Sequence, residues 1–203
     1  MNSISSEQTF TISILSSEFI GQVYPCLSVV EAHQLQKIAR ELHPKANHHC
    51  LAYRIGAESI QEFASDDGEP GGTAGIPMLN VLKRNDLTNC CAIVIRYFGG
   101  TKLGKKGLID AYRESIEKVL EICTINPIEK RIRFKLTYDY GLTSQIQKLF
   151  HSHSSLTIEN ESFEDKVLIE ASLKSEHSKD LIERLESFEH QGVTLEDVEE
   201  YFS

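Results

Sequence analysis

The sequence predicts an α+β protein of two domains, and three observations support this prediction. Strand-like apolar stretches recur between stretches whose apolar residues follow helical spacing. This pattern breaks at Asn126-Pro127, because proline cannot continue a helix and disfavours helical backbone in the residue before it. The elements after the break follow a new order of their own. We therefore expect one domain at residues 1–126 and a second at 127–203.

The first domain begins with two predicted strands, at 9–15 and 19–24. Ser28 and Glu31 then form a capping-box pattern that starts a helix at about 29–42. The remaining predicted elements, in chain order, are a strand pair at 48–56 and 59–65, a Gly-rich loop at 66–75, a helix at 76–83, a strand at 90–97 and a helix at 107–122. The strand at 90–97 is almost continuously apolar, so we expect it inside the sheet and buried on both faces.

The second domain begins with a half-buried strand in which apolar and basic residues alternate, from Ile132 to Tyr138. The elements predicted after it are a short helix at 142–150, strands near 155–162 and 166–174, a helix around 181–188, and a last strand from about Val193. The order is therefore β-α-β-β-α-β, which is the ferredoxin-like order.

Composition and charge limit the possible partners. The chain has 203 residues, of which 40% are hydrophobic and 25% charged, as is typical of soluble globular proteins. Its net charge is −9, and residues 128–203 hold −7 of it. An acidic protein is poorly suited to follow a phosphate backbone, so we expect weak or no direct binding to nucleic acid.

The sequence predicts a cytoplasmic protein with no membrane span, because it shows neither a signal-peptide pattern nor an apolar run of about 18 residues. Its five cysteines are odd in number and mostly lie in apolar runs, which is typical of reduced core thiols. Adjacent Cys90 and Cys91 are expected on opposite faces of a strand. His48 and Cys50 share a strand face, but no second ligand pair is apparent, so we predict neither a metal nor a cofactor.

Residues 99–105 have the G-x-x-x-x-G-K spacing of nucleotide-binding loops. A Gly-rich turn, a helix N-terminus and a lysine could together hold a phosphate. The position after the lysine should be Ser or Thr to bind magnesium, and here it is Lys106. We therefore predict that the chain does not hydrolyse nucleoside triphosphates.

The Gly-rich loop at 66–75 has the densest pattern of polar residues. Asp66, Asp67 and Glu69 lie among several glycines, which favours positive φ angles or a close approach of the backbone to another group. Two interpretations remain open. The loop could order a ligand or partner group, or its acids could only cap neighbouring N–H groups.

Arg96 and Tyr97 end the predicted buried strand, and we expect them beside the acidic loop, where Arg96 could pair with one of its carboxylates. The two loops would then form one site for a partner or ligand. The residues predicted to form it are Asp66, Asp67, Gly68, Glu69, Gly72, Thr73, Arg96, Tyr97, Gly99, Gly100, Gly104 and Lys105. We assign no catalytic residue.

Three segments carry a resemblance to a known family: HHCLAYRIG (48–56), SDDGEPGGTAGIP (65–77) and IRYFGGTKLGKKGLIDAY (95–112). In this order and at these separations they closely resemble the signature blocks of the Impact family. The resemblance implies an N-terminal two-layer domain folded like the second domain of a small-subunit ribosomal protein. It also implies that the C-terminal domain resembles the last domain of elongation factor G. Eukaryotic relatives regulate translation under starvation and contact ribosomes, so the resemblance implies a stress-linked, ribosome-associated binding protein.

The chain departs from the family pattern at basic positions. Lys106 replaces the first residue of the usual Gly-Gly pair, Asp110 replaces a basic residue, and Ser16 and Glu18 replace two more. Three basic positions are lost and one, Lys106, is gained, and this net loss further disfavours nucleic-acid binding. We predict a non-catalytic, translation-linked regulator or accessory factor that binds a protein or ribosomal partner through loops 66–75 and 96–104, the partner being the translation machinery or a regulatory protein. The alternative is an enzyme for a small molecule or phospho-ligand that uses Asp66, Asp67 or Glu69 with Arg96.

Overall fold

A computed structural model describes residues 1–202 of the chain. The chain divides into two compact units, of which the first is Met1–Pro127 and the second begins at Ile128. Pro127 lies in the first unit because the short strand that contains it pairs with Asn2. The two units are described separately.

The first unit contains seven strands and three helices. In chain order they are β1 (Asn2–Ile4), β2 (Gln8–Ile14), β3 (Ser17–Pro25), α1 (Val29–Leu42), β4 (His48–Ile55), β5 (Gln61–Ser65), α2 (Gly75–Arg84), β6 (Cys90–Tyr97), α3 (Gly104–Leu120) and β7 (Ile125–Pro127). Five strands form an antiparallel sheet in the order β2-β3-β6-β4-β5, and β1 pairs with β7.

The central strand β6 is buried on both faces, as its apolar run predicts, but in an antiparallel sheet. Ala92 and Val94 pack in a core with residues of α2 and α3, whereas Ile93 and Ile95 pack in a second core with residues of α1. The unit therefore has three layers instead of the predicted two. Strands with apolar residues on both faces need a cover on each side, because leaving either face in water would cost the free energy of apolar burial.

A local capping signal sets the start of α1. The α1 bounds are those predicted, and Ser28 Oγ accepts a hydrogen bond from the Glu31 N–H at 3.2 Å. Glu31 Oε2 in turn accepts a hydrogen bond from the N–H of Leu27, rather than from that of Ser28. Helix α3 begins at Gly104, three residues before the predicted start. The pair β1 and β7 was not predicted, since a three-residue strand is too short to show alternation.

Within residues 128–202, the second unit contains four strands and two α-helices, with three short 3-10 helices between them. The strands and α-helices are β8 (Lys130–Tyr138), α4 (Thr143–His151), β9 (Thr157–Phe163), β10 (Val167–Lys174), α5 (Ser178–Glu186) and β11 (Thr194–Phe202). The strands form an antiparallel sheet in the order β11-β8-β10-β9. Apolar residues of α4 and α5 pack against alternate residues of β8 and β10, including Phe134 and Ile169.

The cysteines are free thiols, and four of the five are buried. Cys90 belongs to the core beneath α2 and α3, and Cys91 to the core beneath α1, so the prediction of opposite faces is confirmed. Within residues 1–202, no helix combines the length and apolarity needed to span a membrane.

Candidate functional site

Antiparallel pairing brings the two predicted loops to one rim of the first sheet. Arg96 near the end of β6 pairs with Phe19 near the start of β3 and with His48 at the start of β4. Strand β5 runs against β4 and ends at Ser65, which pairs with Leu51. The acidic loop therefore leaves β5 at the rim that Arg96 reaches. The predicted location beside the acidic loop is correct, and antiparallel register is its cause.

Glu69 and Arg96 form a buried ion pair at this rim. Arg96 Nη1 lies 2.5 Å from Glu69 Oε1, and the two side chains are 6% and 3% exposed. Tyr112 Oη donates a second hydrogen bond to Glu69 Oε1 at 2.8 Å, and His48 Nε2 lies 3.8 Å away. Burial, with added contributions from Cys50 and Glu69, raises the pKa of Tyr112, so its hydroxyl keeps its proton and remains a donor. The predicted proximity of the two loops is confirmed.

The Arg96 guanidinium also holds the turn after β6. It lies between the rings of Phe19 and Phe98, at 5.2 and 5.3 Å from their centroids, distances at which cation–π attraction operates. Its Nη2 lies 3.5 Å from Ser17 Oγ, which accepts the Gly99 N–H at 3.1 Å. Arg96 therefore joins the acidic loop, the start of β3 and the turn that leads to α3.

Asp66 closes the acidic loop on itself. Its carboxylate accepts backbone N–H groups from Gly72, Ala74 and Gly75 at 2.7, 2.8 and 2.9 Å, and it thereby caps the start of α2. Burial alone would raise the pKa of Asp66, but the three N–H donors outweigh it and hold the pKa below its ordinary value. Asp66 is an ionised structural cap.

Asp67 ties the same loop to its neighbours. Its Oδ2 accepts the His49 N–H at 2.6 Å, and its Oδ1 pairs with the Arg40 guanidinium of α1. Its carbonyl oxygen lies 2.8 Å from His48 Nδ1. Asp67 thus bridges α1 and β4.

Of the remaining predicted site residues, some are packed or hydrogen-bonded within the fold and the others are exposed on its surface. Thr73 is buried and donates to the Pro70 carbonyl at 2.6 Å, and Tyr97 Oη lies 3.0 Å from His43 Nδ1. Gly99 packs its backbone against Ser16. The exposed members are Gly68, Gly72, Gly100, Gly104 and Lys105, and the four glycines have positive φ angles.

Beside the ion pair lies a groove of about 380 Å³, which we call the Phe98 groove. It is lined by Glu69, Pro70, Arg96, Phe98, Lys102, Leu103, Gly104, Lys105 and Leu108. The site residues predicted from sequence omit Pro70, Phe98, Lys102, Leu103 and Leu108. The available signal was an aromatic residue directly after a buried strand. Within residues 1–202, no cluster of three or more His, Cys, Asp or Glu is placed to hold a metal ion.

The model of the Impact N-terminal domain family matches residues 15–120, which is more than half of the chain and includes both loops. The chain belongs to the Impact family.

Two bacterial Impact relatives show how far the similarity extends. IMPACT family member YvyE of Bacillus subtilis is 45% identical over 122 residues, which cover 60% of this chain and 55% of YvyE. IMPACT family member YigZ of Escherichia coli is 31% identical over 194 residues, which cover 95% of both proteins. The crystal structure of a hypothetical protein is 30% identical, with a TM-score of 0.67 over 98% of this chain and 97% of that one.

In this Impact-family chain, the signature residues therefore have two kinds of environment. Asp66, Asp67, Glu69, Arg96 and Tyr112 are bonded to one another or to backbone groups at the rim. Their bonds fix the exposed surface around Phe98 and the lysines of the following turn. The signature block at 95–112 thus contains both residues whose bonds fix the loops and residues of the exposed surface around Phe98.

Proposed function

We propose that this Impact-family chain is a non-catalytic regulator or accessory factor of translation, which binds a protein or ribosomal partner through loops 66–75 and 96–104. One observation carries the proposal. The buried Glu69–Arg96 pair joins these loops into one fixed face, and exposed residues of both loops flank it. A preorganised face favours binding, because little conformational entropy is lost when a partner docks.

Every candidate acid is held in hydrogen bonds or an ion pair within the protein, and this supports a binding function over a catalytic one. Asp66 accepts three backbone N–H groups, Asp67 holds His49 and Arg40, and Glu69 holds Arg96 and Tyr112. A general acid or base at neutral pH needs a pKa near the working pH. The pKa of Asp66 is shifted away from that range. The enzyme alternative thus has less support.

Membership in the Impact family supports the link to translation. The signature blocks resemble those of eukaryotic relatives that regulate translation and contact ribosomes. A cytoplasmic location, a role in stress and association with ribosomes belong to the same proposal. Specificity would then depend on the exposed residues, since the buried ones are committed to internal bonds.

We also infer finer fold relationships. The second unit combines the order β-α-β-β-α-β with the sheet order β11-β8-β10-β9, and this supports a ferredoxin-like domain resembling the last domain of elongation factor G. For the first unit, the relationship to the second domain of a small-subunit ribosomal protein comes from the family resemblance. Both comparisons agree with a factor that acts near the ribosome.

Site-specific photo-crosslinking tests the proposed function. A photoreactive residue would replace exposed Gly71 in the acidic loop or exposed Thr101 in the second loop, and Thr9 near the far end of β2 would serve as the control. Crosslinking in cells, followed by gradient fractionation and mass spectrometry, should join positions 71 and 101, but not 9, to the same translation component. Crosslinks from both loops only to proteins outside translation would overturn the proposal.

A further inference from the structure

The Phe98 groove combines an apolar floor with a positive rim. We propose that it binds a short acidic segment of a partner protein, with one large apolar side chain of that segment as the anchor. This inference rests on the proposed function and adds the chemical class of the partner's binding segment.

The floor of the groove suits an apolar anchor. Phe98 is 44% exposed, and Pro70, Leu103 and Leu108 line the same groove. A volume of about 380 Å³ lies at the small end of the roughly 300–1,000 Å³ typical of ligand pockets, so it fits one large side chain better than an extended ligand. Covering the exposed part of Phe98 would remove apolar surface from water, which is favourable.

The floor is also held in place before any partner binds. Phe98 packs on the Arg96 guanidinium, and its N–H donates to Asn47 Oδ1 at 2.8 Å. Arg96 is fixed in turn by Glu69. Phe98 therefore loses little conformational freedom when a partner binds, which is a property of interface residues that contribute strongly to affinity.

The rim of the groove is positive. Lys102 and Lys105 line it, and neither makes an ion pair with any residue from 1 to 202, nor does adjacent Lys106. Further along the same helix, Arg113 pairs with Asp110 and Glu117. The unpaired lysines cluster where α3 begins.

The start of α3 adds to this positive charge. Its N-cap residue, Leu103, makes no side-chain capping hydrogen bond within residues 1–202, and its first turn contains no acidic residue. Such a helix end carries a partial positive charge from its unpaired N–H groups. The one carboxylate that lines the groove, that of Glu69, is neutralised by Arg96. Charge complementarity therefore favours Asp and Glu beside the anchor.

The same features favour a peptide over a nucleic acid. Nucleic-acid grooves carry basic residues along a track that follows the phosphates. Here the basic side chains come from one side, whereas loop 66–75, which contributes Pro70, contains no Lys or Arg and three acids. A compact apolar pocket with a one-sided positive rim matches an apolar side chain flanked by carboxylates.

Selection from a random peptide display library against the full chain tests the inference. The enriched peptides should carry several Asp or Glu residues around one Leu, Ile, Phe or Trp. Fluorescence anisotropy then measures the affinity of one enriched peptide for two variants of equal charge. Lys102→Glu/Lys105→Glu should weaken binding by about tenfold or more. The control Lys148→Glu/Lys179→Glu, which changes exposed residues of α4 and α5, should leave the affinity essentially unchanged.

Changes to Phe98 and to the peptide complete the test. Phe98→Ala should weaken binding by about tenfold, whereas Phe98→Leu should retain most of the affinity. Circular dichroism confirms that each variant is folded. Replacing the peptide's Asp and Glu by Asn and Gln should abolish the salt dependence of binding and weaken it.

Three results would overturn the inference: enriched peptides without acidic residues, equal affinities of the two charge variants, or binding of a short single-stranded RNA with no peptide binding. The last result would identify a nucleic-acid interface. Failure of the proposed function is separate. If position 101 crosslinks to a translation component and no acidic peptide binds, only the inference fails. If the peptide binds as expected and no translation component is crosslinked, only the translation link fails.

Discussion

Arg96 and Glu69 are separated by 27 residues in sequence, and Arg96 Nη1 lies 2.5 Å from Glu69 Oε1 with both side chains almost fully buried. Removing two charges from water is costly, and their attraction offsets the cost only when the remaining donors and acceptors are also satisfied. Tyr112 supplies an additional donor to the carboxylate, whereas Arg96 Nε is buried and has no hydrogen-bond partner among residues 1–202. The pair therefore fixes the relative positions of loops 66–75 and 96–104.

Removing one partner of this pair should be more damaging than removing both. We expect Arg96→Met or Glu69→Leu alone to lower the free energy of unfolding by about 3–5 kcal/mol, because the other charge stays buried and unpaired. The double variant should lose less than either single variant, because it leaves no unpaired buried charge. Urea denaturation of the full cycle measures this coupling. The exposed pair of Lys37 and Glu41 is the control, with an expected coupling of about 0.3–0.5 kcal/mol. Additive effects at Arg96 and Glu69 would contradict the prediction.

Asp66→Asn should destabilise the protein in a pH-dependent way. Burial opposes ionisation, but three N–H donors hold the pKa of Asp66 below its unfolded value of about 3.9. A lowered pKa stabilises the fold above the unfolded value, and this stabilisation is lost as pH falls through the folded one. At pH 7 the variant should lose about 1 kcal/mol, allowing for partial exposure of Asp66.

The pH series distinguishes this charge effect from a simple loss of packing. Urea denaturation should show the difference between wild type and Asp66→Asn shrinking as pH falls below about 4. The control Thr11→Ala, at an exposed position of β2, removes no titratable group and should show no such trend. A difference that stays constant down to acid pH would mean that the ionised form of Asp66 is not what stabilises the loop.

Gly99 is required by close backbone contact. A Cβ atom there would lie 2.0 Å from the carbonyl carbon and oxygen of Ser16, so Gly99→Ala must move one of the two chain segments. We expect a loss of about 1–3 kcal/mol. At Gly71 nothing lies within 4 Å of such an atom, and Gly71→Ala should stay within about 0.5 kcal/mol of wild type. Thermal unfolding compares the two variants, and equal melting temperatures would show that the Ser16 contact yields freely.

The native protein should show little thiol reactivity. Cys26, Cys50, Cys90 and Cys91 are fully buried, and burial raises the pKa of Cys90 to about 12. Cys123 is partly exposed, although burial also raises its pKa. An aromatic disulfide reagent at pH 8 should therefore modify Cys123 alone, slowly, and all five cysteines after denaturation.

The variant Cys123→Ser identifies the reacting thiol. It should abolish the native reaction and leave four thiols reactive in denaturant. The thiol of Cys26 is the informative exception, because a hydrogen bond from Cys91 lowers its pKa in spite of burial. Rapid modification of Cys26 in the native state would reveal that the segment between β3 and α1 opens readily.

Residues 128–203 should fold without the rest of the chain. The second unit has its own apolar core, built from β8, β10, α4 and α5. A domain of this size buries a smaller fraction of its surface than a large one, so we expect a cooperative but low-temperature transition. Calorimetry of the isolated fragment tests this. The absence of a transition in the fragment, with one present in the full chain, would show that the second unit depends on the first.

The sequence by itself determined the local structure of both units. Helix α1 was predicted to the residue, because its cap and its apolar spacing are both local signals. The apolar run of β6 correctly indicated burial on two faces. The glycines and acids of the two signature blocks also identified the rim at which the loops meet. The cap of α1, the apolar run of β6 and the composition of each loop are encoded within a few neighbouring residues, whereas the meeting of the two loops depends on strand pairing.

Only the tertiary structure decided what each acid contacts and which surface remains available. The sequence left open whether Asp66, Asp67 and Glu69 bind a partner or hold the loops, and their contacts assign all three to the fold. It also missed the third layer of the first unit and the groove around Phe98. These features depend on strand register and on contacts between residues far apart in sequence. The spacing of apolar residues in the sequence indicates only which side chains are buried. The residue that each side chain contacts depends on which strands pair and in which direction.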